Sequence, residues 1–155
     1  MTQRHHYRID LGDRTSVHEP SAQPLTTSDR ESLPALMLAA YAGTTDDEGE
    51  SLTEAIEEVD RWLEEGGDLI RSFGCHVDGE LQSAALVAVV PRGAILAYVI
   101  THPDHKRRGL GRRCVEAALD KLHRDGHAQV NLWITEGNTP SERLFASLGA
   151  NRVSD

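Results

Sequence analysis

The segment from Lys106 to Arg113 contains five cations and two glycines, a combination that suits an anionic ligand. Gly109 and Gly111 lack a Cβ atom, so the backbone can turn tightly there and a ligand can approach it closely. A helix that begins at this loop adds unpaired N–H groups and the positive end of its dipole. The segment therefore predicts a binding site for a phosphate or a pyrophosphate.

Two well-known phosphate loops do not match this segment. A Walker loop needs Gly-Lys-Ser/Thr at its end, and no such run follows the two glycines. The dinucleotide fingerprint needs a third glycine three residues after the second, where Cys114 stands. A nucleotide-binding protein stays open as an alternative, although the Ser or Thr that would hold Mg²⁺ is missing.

Charge is unevenly distributed along the chain. The formal net charge is -9, and most of the 25 acidic residues precede residue 91. Such a balance argues against a general nucleic-acid-binding protein. A basic segment in an acidic chain either covers a solvated helix face or binds an anion, and the glycines favour the anion.

Length and composition are those of an ordinary globular domain. The 155 residues, 39% of them hydrophobic, suffice for one domain with a core. No apolar run reaches the ~18 residues of a membrane helix, and the first residues do not resemble a signal peptide. We therefore expect Cys75 and Cys114 to be free thiols of a cytoplasmic protein. The histidines show no metal-ligand spacing, so no metal is expected.

Two helices are predicted in the first half of the chain. Ser28 and Glu31 have the spacing of a capping box, and Pro34 predicts a kink or a restart in the helix that follows. A second capping box begins at Ser51, and its helix is predicted to end near residue 65. The predicted buried face of this second helix comprises Leu52, Ile56, Val59 and Leu63.

Strands are predicted in the middle of the chain. Asp78-Gly79 is a hairpin signal between apolar runs at 73–77 and 81–90. The later elements are a strand at 94–101, a helix at 108–124, a strand at 129–135 and a helix at 141–148. This order predicts an α+β (mixed α/β) domain over residues 25–155, with one parallel crossover near its C-terminal end. Residues 1–24 are expected to be poorly ordered or to form an edge strand.

Residues 94–150 resemble the GCN5-related N-acetyltransferase (GNAT) superfamily. Its phosphate loop, Arg/Gln-x-x-Gly-x-Gly/Ala, follows a strand that ends in hydrophobic-x-Pro. Here Thr101-His102-Pro103 precedes Lys106-Arg107-Arg108-Gly109-Leu110-Gly111, with Lys where Arg or Gln is usual. The second motif is a strand, an Asn and a helix with Leu-Tyr-x-x-x-Gly-Phe. It is matched by Leu132 to Asn138 and by Leu144-Phe145-Ala146-Ser147-Leu148-Gly149-Ala150.

This resemblance implies a fold and an activity. The fold is a central mixed sheet that splits at the strand of the first motif, with helices on both faces. The activity is direct transfer of an acetyl group from acetyl-CoA to the primary amine of a small molecule or a peptide, within a ternary complex. Neither nucleic acid nor membrane is an implied partner. Ala150 to Ser154 supply at most one short strand, so a homodimer that completes the sheet is an expectation.

The resemblance also implies which residues bind the cofactor. Backbone groups of Ile100 and Thr101 would bond the pantetheine amides, and Asn138 would face the pantetheine or the thioester. Phe145 occupies the position of the family's tyrosine and would lie beside the cofactor. The implied pyrophosphate loop comprises Lys106, Arg107, Arg108, Gly109, Leu110, Gly111 and Arg112.

The catalytic residues are predicted to be His102, Glu136 and Asn138. His102 ends the cofactor strand and is either a general base or a structural strand-end residue. Glu136, next to Asn138, is either a base that acts through a water or a solvated loop carboxylate. Phe145 cannot donate a proton, so water or another residue protonates the leaving thiolate, or the thiolate leaves unassisted with the helix dipole stabilising it. A non-catalytic acyl-CoA-binding protein is the alternative. The acidic segment at 46–50 would suit a cationic amine or act as a helix-capping loop.

Overall fold

The protein folds into a mixed β-sheet flanked by helices. The structure is a computed structural model, and it describes residues 3–12, 14, 21–44 and 49–154. The strands are β1 (Arg4–Asp10), β2 (Gln23–Pro24), β3 (Phe73–Val77), β4 (Glu80–Val90), β5 (Gly93–Thr101), β6 (Gln129–Thr135) and β7 (Asn151–Arg152). The helices are α1 (Thr27–Tyr41), α2 (Leu52–Glu64), α3 (Leu110–Arg124) and α4 (Thr139–Ser147). The strand order is β2-β3-β4-β5-β6-β1-β7.

Helices cover both faces of the sheet and enclose two cores. On one face α3 packs on β3, β4 and β5 and buries Val115 and Leu119 completely. On the other face α1 packs on β4, β5 and α2, with Leu33 and Val59 at the centre of the core. The mixed α+β fold with helices on both faces is therefore confirmed.

Strands β5 and β6 run parallel but stay paired over only two residues. Ala94 pairs with Val130 and Ile95 with Asn131, after which no further pair joins these two strands. On its other side β5 continues to pair with β4, and one extra residue, Ala97, forms a bulge in that ladder. A bulge bends its strand and increases the local twist. The sheet consequently opens between the C-terminal halves of β5 and β6, as the resemblance implied.

Several local predictions agree with the structure. Asp78 and Gly79 connect β3 to β4 with φ values of 52° and 81°. Two successive positive φ angles are the requirement of a type I′ hairpin turn. Helix α2 begins after Ser51, whose side chain accepts a hydrogen bond from the backbone N–H of Glu54. Helix α3 crosses from β5 to β6 and makes the expected parallel connection.

Helix α1 differs from the prediction at its start and its middle. Its capping box is formed by Thr26 and Asp29, not by Ser28 and Glu31. The earlier pair forms the cap because the Asp29 carboxylate is also held by His76 on β3. The helix runs without interruption through Pro34, where a kink or a restart was expected. Tertiary packing of the apolar face outweighs the single backbone hydrogen bond that proline removes.

The buried face of α2 was also predicted wrongly in part. Ala55, Val59 and Trp62 are buried, whereas Leu52 and Ile56 are 50% and 44% exposed. Large aliphatic residues dominated the sequence periodicity, but the helix is rotated so that Trp62 and the small Ala55 face α1 and the sheet. This rotation decides which glutamates of α2 face the candidate site.

The N-terminal strand is not at the edge of the sheet. β1 lies between β6 and β7, pairing with β6 over its whole length and with β7 at Tyr7 and Arg8. Within residues 1–24, β1 is thus second from one edge of the sheet, because the short β7 adds to it at Tyr7 and Arg8, whereas β2 is the strand at the other edge. Within the part of the chain that the structure describes, no helix is long and apolar enough to cross a membrane. Cys75 and Cys114 are free thiols, both buried.

Asp29 ties the N-terminus of α1 to β3. Its Oδ2 accepts hydrogen bonds from the backbone N–H of Thr26 at 2.9 Å and from the Thr26 hydroxyl at 3.0 Å. Its Oδ1 lies 2.7 Å from Nε2 of His76. Burial raises the pKa of Asp29, but the hydrogen bonds from Thr26 and His76 outweigh burial and hold it below the ordinary value of 3.8. The ionised carboxylate therefore stabilises the fold.

We expect Asp29→Asn to lower the free energy of unfolding by about 1–2 kcal/mol near neutral pH, because the amide is a weaker acceptor in the capping box. A depressed folded-state pKa means that this contribution is present above pH 3.8 and is lost as the pH falls through the folded-state pKa. Urea unfolding from about pH 7 to about pH 2 should show the gap between wild type and variant closing. Asp60→Asn is the control, because its exposed ion pair with Arg30 should contribute less than about 0.5 kcal/mol. Equal losses in the two variants would contradict this role of Asp29.

Candidate functional site

A cleft of about 1060 Å³ opens where β5 and β6 separate. Its lining comes from the diverging strands, from the basic loop and the first turn of α3, and from helices α1 and α2. Helix α4 contributes to the wall beside β6. The cleft therefore exists because two parallel strands stop pairing, which exposes backbone and side chains that a closed sheet would bury.

The basic loop brings the N-terminus of α3 to the cleft. Gly109 is the N-cap residue with φ 76° and makes no side-chain cap, and Arg107 also has a positive φ of 68°. The first-turn N–H groups of the helix are thus left for a ligand, together with the positive end of the dipole. Nζ of Lys106 lies 3.5 Å from the carbonyl oxygen of Ala40 at the end of α1. This end of the cleft can hold a phosphate or a pyrophosphate.

Gly111 allows α3 to lie directly against β5. A Cβ atom at this position would lie 3.2 Å from Oγ1 of Thr101 and 3.6 Å from Cγ1 of Val99. The Thr101 hydroxyl has little freedom to withdraw, because Oγ of Ser83 lies 2.8 Å from it. Ser83 is fully buried and also donates to the carbonyl oxygen of Ile100 at 3.2 Å. The second glycine of the motif therefore serves helix–strand packing at the floor of the cleft.

Away from the basic loop, the cleft lining contains glutamates of α2, two arginines (Arg4 and Arg61) and a phenol–carboxylate pair. Helix α2 presents Glu54, Glu57 and Glu58 to the cleft. The hydroxyl of Tyr98 on β5 donates a short hydrogen bond to Oε1 of Glu58. Burial, together with the Glu58 carboxylate, raises the pKa of Tyr98 well above its usual range. The basic loop therefore suits an anionic ligand, and the three glutamates of α2 outnumber the two arginines that line the cleft with them.

Nine of the predicted site residues line the cleft, and four do not. Ile100 is buried in the core beneath the strand, with 1% of its surface exposed. The side chains of His102, Arg108 and Glu136 also lie outside the cleft lining. The nine residues that line it are Thr101, Lys106, Arg107, Gly109, Leu110, Gly111, Arg112, Asn138 and Phe145.

The two predicted general bases have other surroundings. Nδ1 of His102 accepts a hydrogen bond from the backbone N–H of Asp104 at 3.2 Å and caps a short 3₁₀ turn. The Glu136 side chain is 65% exposed, and its Oε1 lies 3.8 Å from Nε2 of His5 beside a separate small pocket. The structure therefore does not bring either side chain into the cleft.

The remaining candidates lie at the cleft wall. Oδ1 of Asn138 accepts from the backbone N–H of Ser141 at 3.3 Å and caps α4. Phe145 is 5% exposed and belongs to the core under α3. Of the acidic segment, Glu50 lines the cleft, whereas residues 46–48 lie outside the described residues.

Three further cleft residues were not singled out from the sequence. Glu58 and Tyr98 meet only through packing of α2 on β5, so no spacing in the chain reveals the pair. Trp133 is 48% exposed at the cleft and stacks on His6 with ring centroids 4.6 Å apart. In the sequence of β6, Trp133 is a large aromatic residue at a position where the alternation of buried and exposed residues predicts exposure, and this could have indicated a binding role.

Comparison with known proteins supports the same region of the chain. A family model described as FR47-like protein matches residues 73–154, more than half of the chain. The [ribosomal protein bS18]-alanine N-acetyltransferase of Escherichia coli (strain K12) is 31% identical over 88 residues, which are 57% of this chain and 60% of that protein. Its crystal structure superposes with a TM-score of 0.67 at 25% identity, covering 86% of this chain and 78% of that chain.

Two more proteins extend the likeness. The mycothiol acetyltransferase of Clavibacter sepedonicus is 27% identical over 140 residues, 89% of this chain and 45% of that protein. The crystal structure of PaiA N-acetyltransferase from Thermoplasma acidophilum, in complex with coenzyme A, has a TM-score of 0.62 at 16% identity. It covers 81% of this chain and 86% of that chain. The chain spans less than two thirds of the length of the curated relatives that it matches.

We expect Gly111→Ala to lower the free energy of unfolding by about 1 kcal/mol, although alanine is the better helix former by a similar amount. The added methyl group meets the Thr101 hydroxyl, which Ser83 holds in place. Urea unfolding of Gly111→Ala, Thr101→Ala and the double variant measures the coupling. The double variant should lose less stability than the two single losses together. Additive losses would contradict a contact between these positions.

Proposed function

The chain belongs to the GCN5-related N-acetyltransferase superfamily, and on this basis we propose that it transfers an acetyl group from acetyl-CoA to a primary amine. The observation that carries the proposal is the cleft between β5 and β6, with the N-terminus of α3 and its basic loop at one end. A long, flexible cofactor with a pyrophosphate at one part and a thioester at its tip suits a cleft of this shape and charge.

The residues at the basic end fit the pyrophosphate of acetyl-CoA. Lys106, Arg107 and Arg112 line this end, and the uncapped first turn of α3 adds backbone N–H groups. Arg112 is fixed in place, since its side chain donates to Oγ of Ser147 at 2.6 Å and pairs with Glu116 at 3.2 Å. A structure of the same fold was solved with coenzyme A, which is in line with this assignment.

Acetyl-CoA supplies the acetyl group as a thioester, and the protein has to orient it and move protons. The open edge of β5 offers backbone groups near Thr101 to the pantetheine arm. Asn138, next to the cleft, would face the same arm. Direct attack of the amine within a ternary complex needs no covalent enzyme intermediate. Because Phe145 cannot donate a proton, water in the open cleft protonates the leaving thiolate.

The amine acceptor of this chain is proposed to be cationic, because Glu54, Glu57 and Glu58 line the end of the cleft away from the basic loop. Two acceptor classes follow from the names of relatives. One is the N-terminal alanine of a protein, and the other is a small-molecule amine. A binding protein without turnover is the second candidate function, which Phe145 in place of a tyrosine favours.

Acetyl-CoA at 100 times its dissociation constant should raise the free energy of unfolding by about 2.7 kcal/mol, and ATP should not. We expect Arg107→Asn to reduce the thermal shift, because the substitution removes a cleft cation while asparagine tolerates the positive φ. Arg92→Asn is the matched control, since Arg92 lies in the turn between β4 and β5, outside the cleft lining. No thermal shift with acetyl-CoA would overturn the proposed function.

Turnover distinguishes an enzyme from a binding protein. We expect amine-dependent release of free thiol from acetyl-CoA with at least one of three probes: an alanine-first peptide, spermidine and glucosamine. Spermidine and an alanine-first peptide of net positive charge should react faster than glucosamine, because three glutamates of α2 line the cleft. Thiol release is followed with a disulfide dye against a protein-free control. A thermal shift without thiol release would favour the binding protein.

A further inference from the structure

Tyr98 and Glu58 link the floor of the cleft to its helical wall. The phenol of Tyr98 comes from β5, and its hydroxyl donates to Oε1 of Glu58 on α2. The other carboxylate oxygen, Oε2, lies 3.4 Å from a guanidinium nitrogen of Arg61. Both members of the pair line the cleft, and neither belongs to the loop that would bind the pyrophosphate. The carboxylate is thus held in one orientation from two elements.

The position of the pair along β5 matters for chemistry. Tyr98 directly follows the bulged Ala97, in the part of β5 that has left β6. It precedes Thr101 by three residues, about 10 Å along an extended strand. The pair therefore lies in the open part of β5, where residues of α1 and α2 also line the cleft.

We propose that Glu58 accepts the proton of the acceptor amine during acetyl transfer and that Tyr98 is the positioning residue that holds its carboxylate. This inference rests on the proposed function and identifies the proton acceptor that the reaction requires. His102 and Glu136 do not reach the cleft. Glu58 differs from Glu50, Glu54 and Glu57, the other carboxylates of the cleft lining, in its hydrogen bond with Tyr98 on β5, the strand that opens from β6.

The step balances with groups that are present. The amine nitrogen forms a bond to the acetyl carbon, and the carbon–sulfur bond breaks with its electron pair left on sulfur. The nitrogen becomes far more acidic once it is bonded to the carbonyl carbon, and its proton passes to a Glu58 oxygen. The thiolate takes a proton from water in the open cleft, and Glu58 returns its proton to water. Acetyl-CoA and amine thus become amide and coenzyme A.

Tyr98 is suited to positioning because its phenol keeps its proton. Burial and the neighbouring carboxylate raise its pKa, so the hydroxyl stays a donor to Glu58 at neutral and mildly basic pH. The Glu58 carboxylate in turn keeps a fixed geometry without taking its partner's proton. The charged and titratable groups around the pair are Arg4 from β1, Tyr41 from α1 and Glu54, Glu57 and Arg61 from α2.

The test compares Glu58→Gln and Tyr98→Phe with two matched controls. Glu64→Gln changes a glutamate of α2 outside the cleft lining, and Tyr7→Phe changes a tyrosine of β1 outside it. Each variant is first checked for the thermal shift with acetyl-CoA, which all four should retain. The amine is whichever of the alanine-first peptide, spermidine and glucosamine wild type acetylates fastest.

We expect Glu58→Gln to lower kcat by about 10²–10⁴-fold and to leave KM for the amine within about twofold, because the amide cannot accept the proton. Tyr98→Phe should lower kcat less, with KM for the amine also within about twofold, because the carboxylate remains but loses the hydrogen bond that orients it. Glu58→Asp should recover part of the lost kcat, since it keeps a carboxylate.

Three outcomes would overturn the inference. If wild type turns over an amine and Glu58→Gln keeps kcat within about twofold, Glu58 is not the proton acceptor. A rise in KM with unchanged kcat would make Glu58 a binding group for the acceptor. If wild type binds acetyl-CoA but releases no thiol with any of the three amines, the proposed acetyl transfer fails together with the role of Glu58. Turnover by wild type with an unaffected Glu58→Gln variant contradicts the role of Glu58 alone.

Discussion

The separation of β5 from β6 after two paired residues is the constraint on which the site depends. A parallel pair of strands would normally continue its ladder and leave no room between them. Here β5 remains anchored to β4, bulges at Ala97 and carries its free edge away from β6. The cores on the two faces of the sheet hold β5 in this position, because Ala94 and Leu96 are buried in one core and Ile100 in the other.

The N-terminus of helix α3 makes the opening a candidate anion site. The crossover between two parallel strands must leave β5 at its C-terminal end, so the first turn of the helix comes to the mouth of the gap. Gly111 lets that turn approach Thr101, and the left-handed Gly109 leaves it without a side-chain cap. In the proposed site the dipole, the first-turn N–H groups and the basic side chains would act on the same ligand, which an exposed run of arginines alone would not achieve.

Helices α1 and α2 define the other end, and their contribution depends on rotation about the helix axis. Burial of Ala55, Val59 and Trp62 turns Glu58 toward the cleft and leaves Leu52 and Ile56 in solvent. A rotation that buried Leu52 and Ile56 instead would separate Glu58 from Tyr98. Side-chain packing between α2 and its neighbours therefore decides which carboxylates line the cleft, and it places Glu58 within hydrogen-bond distance of Tyr98.

The amino-acid sequence by itself determined the order of elements, the hairpin at Asp78-Gly79, the glycine loop before α3 and the superfamily. These features follow local rules, since the motifs for turns, caps and phosphate loops consist of residues that are close in the chain. Only the tertiary structure decided that β1 lies inside the sheet, that Thr26 caps α1, and that His102 and Glu136 lie outside the cleft. The pairing of Tyr98 with Glu58 was decided there too, because residues 40 positions apart meet only when helix and sheet pack.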